Sequence, residues 1–186
     1  EQAGVLDAVA DALKIVRGMV ECGKPIISAI NGAAVGAGLA VAVLADISIA
    51  AEDARLIDNH TMHGVTAGDH ACLIWPLLCG LARAKLYLMN LEPLTGKVAE
   101  RIGIVSMSVP KDQVVPKALE YAERLASMSQ PAIRGTKRAL NGWLRQAMPI
   151  MEHSAALEMF DYVGPDVEEA RQASRENRAV RFPSAQ

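Results

Sequence analysis

The sequence is poor in aromatic residues and in net charge. Only 4% of its 186 residues are aromatic, and the formal net charge is −2. Proteins that bind nucleic acid or anionic membranes usually carry a basic patch, and single-stranded nucleic acid is held by stacking on aromatic rings. We therefore expect neither nucleic acid nor a membrane as a partner. The hydrophobic content of 51% is typical of a globular protein with a sizeable core.

Cysteines and long apolar runs are also scarce. The three cysteines, Cys22, Cys72 and Cys79, are odd in number and lack zinc-site spacing, so we expect reduced thiols in a cytoplasmic protein. The longest apolar run, residues 33–45, is too short to cross a bilayer. Residues 1–11 are acidic and lack the basic start of a signal peptide. The chain opens within a predicted helix, which is typical of a fragment of a longer protein.

The spacing of apolar residues predicts an α/β layer followed by a helical C-terminal third. Two β-branched runs flank a predicted helix, and a strand–helix–strand unit at this spacing indicates a parallel sheet. The predicted helices span residues 5–21, 36–44, 70–78, 82–90, 96–102 and 166–178, with helical periodicity almost throughout from residue 113 onward. The predicted strands span residues 26–30, 47–50 and 104–109, with a further short strand near Leu56.

Small residues are concentrated in the segment NGAAVGAG, residues 31–38, between a predicted strand and a predicted helix. Backbone N–H groups at the start of a helix have no partner within the helix, and small side chains let a ligand approach them. Such amides stabilise an oxyanion or hold a phosphate, and spacing alone does not separate the two. Close packing of the helix on the strand accounts for the same composition, so three interpretations stay open at this point.

Three of the four histidines lie in the segment NHTMHGVTAGDH, residues 59–70. His60 and Asp69 are separated by two glycines, so a loop could fold the carboxylate onto the imidazole and raise its basicity. Alternatively, Asp69 caps the helix that follows, and His63 and His70 are solvated. The histidine spacing does not favour a metal site, and none is predicted.

Arginines are concentrated near the C-terminal end of the sequence. Arg171, Arg175, Arg178 and Arg181 fall within eleven residues. They could bind a phosphate, or they could coat the solvent-facing side of a helix. The solvated face is the favoured interpretation.

The segments KPIISAINGAAVGAGLAVAVLADISIAAEDARL, GLARAKLYLMN, AERIGIVSMSVP and LASMSQPAIRGTKRAL together resemble the crotonase (enoyl-CoA hydratase/isomerase) superfamily. The resemblance begins at Lys24 and resumes in PDVEEARQASRENRAVRF near the C-terminus. It implies an α/β fold with a ββα spiral core, here residues 1–110 and incomplete at its N-terminus. It also implies a helical trimerisation region, residues 111–186, and hence a homotrimer or a dimer of trimers.

The resemblance further implies an acyl-CoA substrate, with coenzyme A present as part of the substrate and no other cofactor. The thioester oxygen would lie in a two-amide oxyanion hole, to which Ala37 contributes one backbone N–H. The second amide and much of the CoA-binding loop are expected in an upstream segment that the sequence lacks. Gly36, Gly38, Ala40 and Gly68 are the predicted substrate-binding positions.

Two departures from the family pattern leave the reaction open. The two acidic residues of hydratases fall on Ala40 and His60, so water cannot be held between two glutamates. One interpretation keeps a hydratase or isomerase, with His60 as general base oriented by Asp69. A second follows the β-diketone C–C hydrolases of the same superfamily, whose histidine and aspartate match His60 and Asp69, although their oxyanion histidine falls on Ala37. A third is a scaffold that binds CoA esters without catalysis.

Overall fold

The computed structural model describes the backbone of residues 2–185 and the side-chain surroundings of residue 7 and of residues 9–185. Within this range the helices are α1 (Gln2–Glu21), α2 (Ala37–Leu44), α3 (Ala71–Cys79), α4 (Leu81–Asn90), α5 (Gly96–Ile102), α6 (Val114–Ser127), α7 (Gln130–Asp161) and α8 (Pro165–Arg175). The strands are β1 (Ile27–Ile30), β2 (Ala34–Val35), β3 (Ile47–Ala51), β4 (Arg55–Ile57), β5 (Leu94–Thr95) and β6 (Met107–Val109).

The strands form two small sheets that are mostly parallel. One sheet has the order β1-β3-β6, with Ile27 opposite Ile47 and Ile49 opposite Met107. In the other, β2 pairs in parallel with β4, and β4 pairs with β5 in the antiparallel sense. The parallel pairing of β1 with β3 across α2 confirms the predicted strand–helix–strand unit.

One predicted strand is shorter than expected, because its first residues complete a helix end. The strand predicted over residues 104–109 begins at Met107. The N–H groups of Ile104 and Val105 both donate to the Ala99 carbonyl oxygen, 2.8 and 3.4 Å away, and therefore close α5 instead of pairing with β3. Gly103 makes this turn possible, since its φ of 91° is in the left-handed region that favours glycine.

The pairing of β2 with β4 brings two distant segments of the sequence together. Val35 lies opposite Ile57, and both strands end at these residues. Because parallel strands end at the same edge of a sheet, the turn that begins at Gly36 lies beside the loop that begins at Asp58. A Cβ atom at Gly36 would lie 3.4 Å from Asn59 Oδ1, which confirms that the two segments are in contact.

The C-terminal helices pack directly on the α/β layer. Helix α7 contacts α1 and α3, and Met151 of α7 is completely buried within the main hydrophobic core. Lys137 of α7 is also buried, and its Nζ donates to the Lys24 carbonyl oxygen and to Asp46 Oδ2, at 2.9 and 2.7 Å. The division at residue 110 stays a prediction, and residues 1 and 186 lie outside the described range. No helix within residues 2–185 combines the length and the apolar character needed to cross a bilayer.

Substitution of Gly96, the first residue of α5, tests how closely this helix approaches β3. A Cβ at Gly96 would overlap the Ala51 carbonyl oxygen, so we expect Gly96→Ala to lower the free energy of unfolding by about 2 kcal/mol or more, the scale of overpacking in a rigid core. Gly135 is the matched control, because it lies inside α7 and a Cβ added there would have no atom within 4 Å. Gly135→Ala should stabilise by roughly 0.5–1 kcal/mol. Urea unfolding measures both changes, and a Gly96→Ala midpoint equal to that of the native chain would contradict the close approach.

Candidate active site

The segment after β4 carries a buried carboxylate–imidazole pair. Asp58 Oδ1 accepts a hydrogen bond from His60 Nδ1 at 2.8 Å and one from the His60 backbone N–H at 3.3 Å. The Asp58 side chain is completely buried, and only 9% of His60 is exposed. Because Asp58 holds Nδ1–H, the other ring nitrogen of His60, Nε2, is left to face the rest of the site.

Two further carboxylates face His60 Nε2. Asp69 Oδ1 lies 3.5 Å from this nitrogen and Glu158 Oε1 lies 3.7 Å from it. The structure therefore brings the predicted partners His60 and Asp69 together, but the closest carboxylate to the His60 ring is Asp58. Both distances are longer than a good hydrogen bond, so His60 Nε2 lies near two carboxylates but is not hydrogen-bonded to either of them.

His70 is buried within the same cluster, and the interpretation that placed it in solvent is wrong. It has no exposed surface, and its Nδ1 lies 2.5 Å from Asp69 Oδ1. Its Nε2 lies 4.0 Å from Asp58 Oδ2, and these two atoms have no hydrogen-bond partner among the described residues. Asp58, His60, Asp69 and His70 thus form a cluster of alternating acids and imidazoles, in which no hydrogen bond joins His70 to Asp58. The Asp69 carboxylate pairs with the His70 imidazole and does not cap the helix that follows, so α3 begins without a side-chain cap.

Helix α7 supplies Glu158, and the loop of residues 59–70 is fastened to that helix. Thr66 donates from both its backbone N–H and its hydroxyl to Asp161 Oδ2, at 2.8 and 2.6 Å. Ser154 Oγ donates to the Gly68 carbonyl oxygen at 2.7 Å. A Cβ at Gly68 would lie 2.7 Å from both Cβ and Oε2 of Glu158. Glycine at this position therefore lets the loop and the helix approach closely enough to bring Glu158 to His60.

The cluster changes the proton affinity of its members. Burial alone lowers the pKa of His60, but the Asp58 hydrogen bond and the charges of Asp58, Asp69 and Glu158 raise it to about 9. Burial raises the pKa of Glu158 to about 7, against the opposing charge of His60. Burial also works against ionisation of Asp69, but the hydrogen bond from His70 and the charges of both histidines hold its pKa below the ordinary value. At neutral pH the site therefore holds a protonated His60 beside a partly ionised Glu158.

The glycine turn supplies the other half of the predicted site. Helix α2 begins at Ala37, and Gly36 before it has φ 52° and ψ −127°, a conformation that favours glycine. Ala37 and Gly38 are exposed, whereas Ala40 is buried. The amides of the first turn of α2 have no partner within the helix, as an oxyanion hole requires. The catalytic role of this turn and the substrate-binding roles of Gly36, Gly38, Ala40 and the buried Gly68 stay predictions.

A small cavity opens beside His60. Its volume is about 230 Å³, and His60 forms part of its wall together with Asn59, His63, Tyr162 and Arg171. His60 therefore borders a space that can hold a small ligand. Among the described residues, no group of three or more His, Cys, Asp or Glu side chains has an arrangement that could hold a metal ion.

Sequence reasoning did not identify Asp58, His70 or Glu158 as members of the site. The signal for Asp58 was its place two residues before His60 at the end of a strand, where side chains of neighbouring parallel strands meet. The signal for Glu158 was weaker: Met151, Ser154, Ala155 and Glu158 recur at helical spacing and are all buried. A glutamate within an otherwise buried helical stripe indicates a paired or functional carboxylate.

Comparison with known protein sequences gives one family and several relatives. Residues 7–185 match the sequence profile of a family described as enoyl-CoA hydratase/isomerase. The probable enoyl-CoA hydratase EchA12 of Mycobacterium tuberculosis is 36% identical over 118 residues, which cover 63% of this chain and 41% of that protein. The probable enoyl-CoA hydratase echA6 of Mycobacterium bovis is 31% identical over 165 residues, which cover 87% of this chain and 64% of that protein. The chain thus spans less than two thirds of the length of either relative.

Solved structures give the same fold. An enoyl-CoA hydratase/isomerase from Mycobacterium paratuberculosis superposes with a TM-score of 0.85 at 31% identity, covering 90% of this chain and 67% of that one. An enoyl-CoA hydratase from Mycobacterium avium subsp. paratuberculosis superposes with a TM-score of 0.88 at 24% identity, covering 96% of this chain and 73% of that one, and supports the fold alone. These superpositions confirm the predicted crotonase-like α/β fold.

The two raised pKa values predict that the protein loses stability as the pH rises. A group whose pKa is higher in the folded state stabilises the fold below its unfolded pKa, and this contribution is lost as the pH passes the folded value. We therefore expect the free energy of unfolding to fall between pH 4.5 and 7 through Glu158 and between pH 6.5 and 9 through His60. At about 1.4 kcal/mol per pKa unit, the His60 contribution is on the order of 3 kcal/mol.

Urea unfolding at pH 6 and pH 9.5 measures this change for the native chain and for two variants. His60→Asn should remove most of the loss over this interval. His153→Asn is the matched control, because His153 is exposed on α7 outside the cluster, and it should retain the loss. Equal pH dependence in the native chain and in His60→Asn would contradict the assigned charge state of His60.

Proposed function

Because the chain belongs to the enoyl-CoA hydratase/isomerase family, as its motifs predicted, we propose that it processes an acyl-CoA thioester through an enolate. In this proposal the thioester oxygen lies at the first turn of α2, where the Ala37 N–H stabilises its developing negative charge. The observation that carries the proposal is the position of His60 and Glu158. They form an acid and a base 3.7 Å apart, next to the strand end that carries this turn.

The proposed chemistry uses one group to remove a proton and another to return it. With a pKa of about 9, His60 is protonated at neutral pH and is the acid, whereas Glu158, with a pKa of about 7, is the base. Glu158 takes a proton from one carbon of an enoyl thioester, the enolate forms against Ala37, and His60 Nε2–H gives a proton to another carbon. Proton transfer from Glu158 to His60 then restores both groups. The sequence alone predicted His60 as the base, and the surrounding carboxylates favour the acid role for its resting state.

Glu158 would thereby replace the carboxylates that the sequence lacks at Ala40 and His60. It reaches the site from α7, because Gly68 lets that helix approach the loop. Asp58 and Asp69 do not touch the substrate in this proposal. They hold the orientation and the charge of His60, Asp58 through Nδ1 at 2.8 Å and Asp69 from 3.5 Å.

The second candidate is hydrolysis of a C–C bond in a β-diketone or β-ketoacyl compound. The observation that favours it is the same pair, since a base beside a protonated imidazole also activates water and protonates a departing enolate carbon. A scaffold that binds CoA esters without turnover is the third. Thioester and diketone substrates distinguish these three by the product that each yields.

We also propose that the chain assembles as a homotrimer or as a dimer of trimers. Large apolar side chains are exposed on and just after α7, which supports an interface there: Leu140, Trp143, Ile150, Leu157, Phe160 and Val163. Phe160 is 80% exposed, which is unusual for a phenylalanine that stays in solvent. Light scattering of the purified chain measures the assembly.

Mass spectrometry of the chain incubated with enoyl-CoA thioesters and cyclic β-diketones tests the proposed reaction. We expect an isomerised thioester, or a hydrated one if Glu158 takes its proton from a water that adds to the β-carbon while His60 protonates the α-carbon, and an uncleaved diketone. His60→Asn and Glu158→Gln should each lower kcat by roughly 100-fold or more, the scale of a lost acid or base. The control His153→Asn should be as active as the native chain.

The pH dependence of kcat/KM adds a second readout. It should rise as Glu158 ionises near pH 7 and fall as His60 loses its proton near pH 9. A cleaved diketone would support the second candidate instead. Binding of CoA esters with no product from either panel would support the scaffold, and a loss of less than a few-fold in both variants would remove His60 and Glu158 from the mechanism.

A further inference from the structure

The cavity beside His60 has a lining that does not suit a plain fatty acyl chain. Five of its wall side chains are polar: Asn59, His60, His63, Tyr162 and Arg171. Pockets for hydrocarbon are lined mostly by apolar and aromatic side chains, with few polar groups. No carboxylate is among the described residues that line this cavity, so its wall carries positive charge. Its 230 Å³ are also less than the usual size of a small-molecule site.

Arg171 is the fixed cation of this wall, and it is available for a ligand. It lies on α8 next to Ala170, with Val167 one turn earlier, and these three residues all face the cavity. Its nearest carboxylate among the described residues is Glu168 Oε2, 4.0 Å from Nη1, which is beyond hydrogen-bond distance. Burial and the charges of Glu158 and Asp69 raise the pKa of Tyr162, and the Arg171 charge opposes this rise, so the guanidinium acts on the Tyr162 side of the cavity.

We infer that Arg171 binds a second carboxylate on the acyl group, and that the preferred substrates are CoA thioesters of small dicarboxylic acids. A guanidinium pairs with a carboxylate through two parallel N–H···O bonds, a geometry that a neutral group does not match. Asn59, His63 and Tyr162 lie on the same wall and can complete the hydrogen bonds. The inference rests on the proposed function, since it takes the reacting carbons to lie at His60.

The position of Arg171 favours the acyl group over the phosphates of coenzyme A as the source of the anion. Arg171 and His60 line one cavity of about 230 Å³, so a group bound by Arg171 lies within a few atoms of the imidazole at which the proposed function places the reacting carbons. The phosphates of a CoA thioester are separated from those carbons by the whole pantetheine arm. Two of the buried carboxylates near His60 are paired with imidazoles, Asp58 with His60 and Asp69 with His70, which limits their repulsion of an anion. The third, Glu158, lies 3.7 Å from the protonated His60, whose charge offsets its own.

A matched pair of thioesters tests the inference: glutaconyl-CoA, which carries a terminal carboxylate, and its terminal amide, which has the same shape without the charge. The dissociation constant and kcat/KM of both are measured for the native chain, Arg171→Lys, Arg171→Met and Arg175→Met. Arg175 is the matched control, because it lies one turn later on α8, pairs with Glu168 at 3.3 Å and does not line the cavity.

We expect the native chain and Arg175→Met to prefer the carboxylate by about tenfold or more, the scale of a charge-assisted hydrogen bond. Arg171→Met should reduce this preference to about one, and Arg171→Lys should keep part of it. Coenzyme A without an acyl group should bind equally to the native chain and to Arg171→Met.

Three results would overturn the inference while leaving the proposed function standing. They are equal use of the two thioesters by the native chain, a preference that survives in Arg171→Met, and a loss of free coenzyme A binding in Arg171→Met as large as the loss for glutaconyl-CoA. The last result would assign Arg171 to a CoA phosphate. If glutaconyl-CoA binds more tightly than its amide but neither is turned over, the result supports the role of Arg171 and contradicts the proposed chemistry. No binding of either thioester overturns both.

Discussion

The burial of the Asp58 carboxylate is the constraint on which the rest of the site depends. Its side chain has no solvent contact, and an unpaired buried charge would destabilise the fold strongly. The requirement is met by a proton held on His60, whose Nδ1 lies 2.8 Å from Asp58. Once that imidazole is charged, Asp69 and Glu158 can lie near its other nitrogen. The proposed acid and base roles and the expected pH dependence of stability all follow from this one charge arrangement.

The fold provides this arrangement through two long-range contacts. Parallel pairing of β2 with β4 places the glycine turn beside the Asp58–His60 segment, and the close approach at Gly68 places Glu158 against it. Both contacts are made within the protein. The cluster is therefore formed by the packing of the chain itself, so the positions of the proposed acid and base are set before a substrate binds.

Much of the fold was predictable from the sequence, because it depends on local patterns. Helical periodicity, the β-branched runs and the glycine turn predicted nearly every element, and the family motifs predicted the crotonase-like fold and singled out His60. Asp58 and Glu158 were not predicted, for a physical reason. A carboxylate on a strand end or on a helix has the same local pattern whether it faces water or a buried imidazole, and only the tertiary packing decides which. His70 was misjudged for the same reason, since its complete burial comes from the helices packed around it.

The charge state of His60 controls both the proposed chemistry and the pH dependence of stability, and NMR of its imidazole nitrogens measures that charge state. Nitrogen-15 shifts of the histidine rings recorded from pH 5 to pH 10 report protonation at each ring, and the His60→Asn variant assigns the signals. We expect both His60 nitrogens to stay protonated through neutral pH and the ring to titrate near pH 9. A His60 ring that loses its proton at or below the ordinary histidine value of about 6.5 would contradict this expectation.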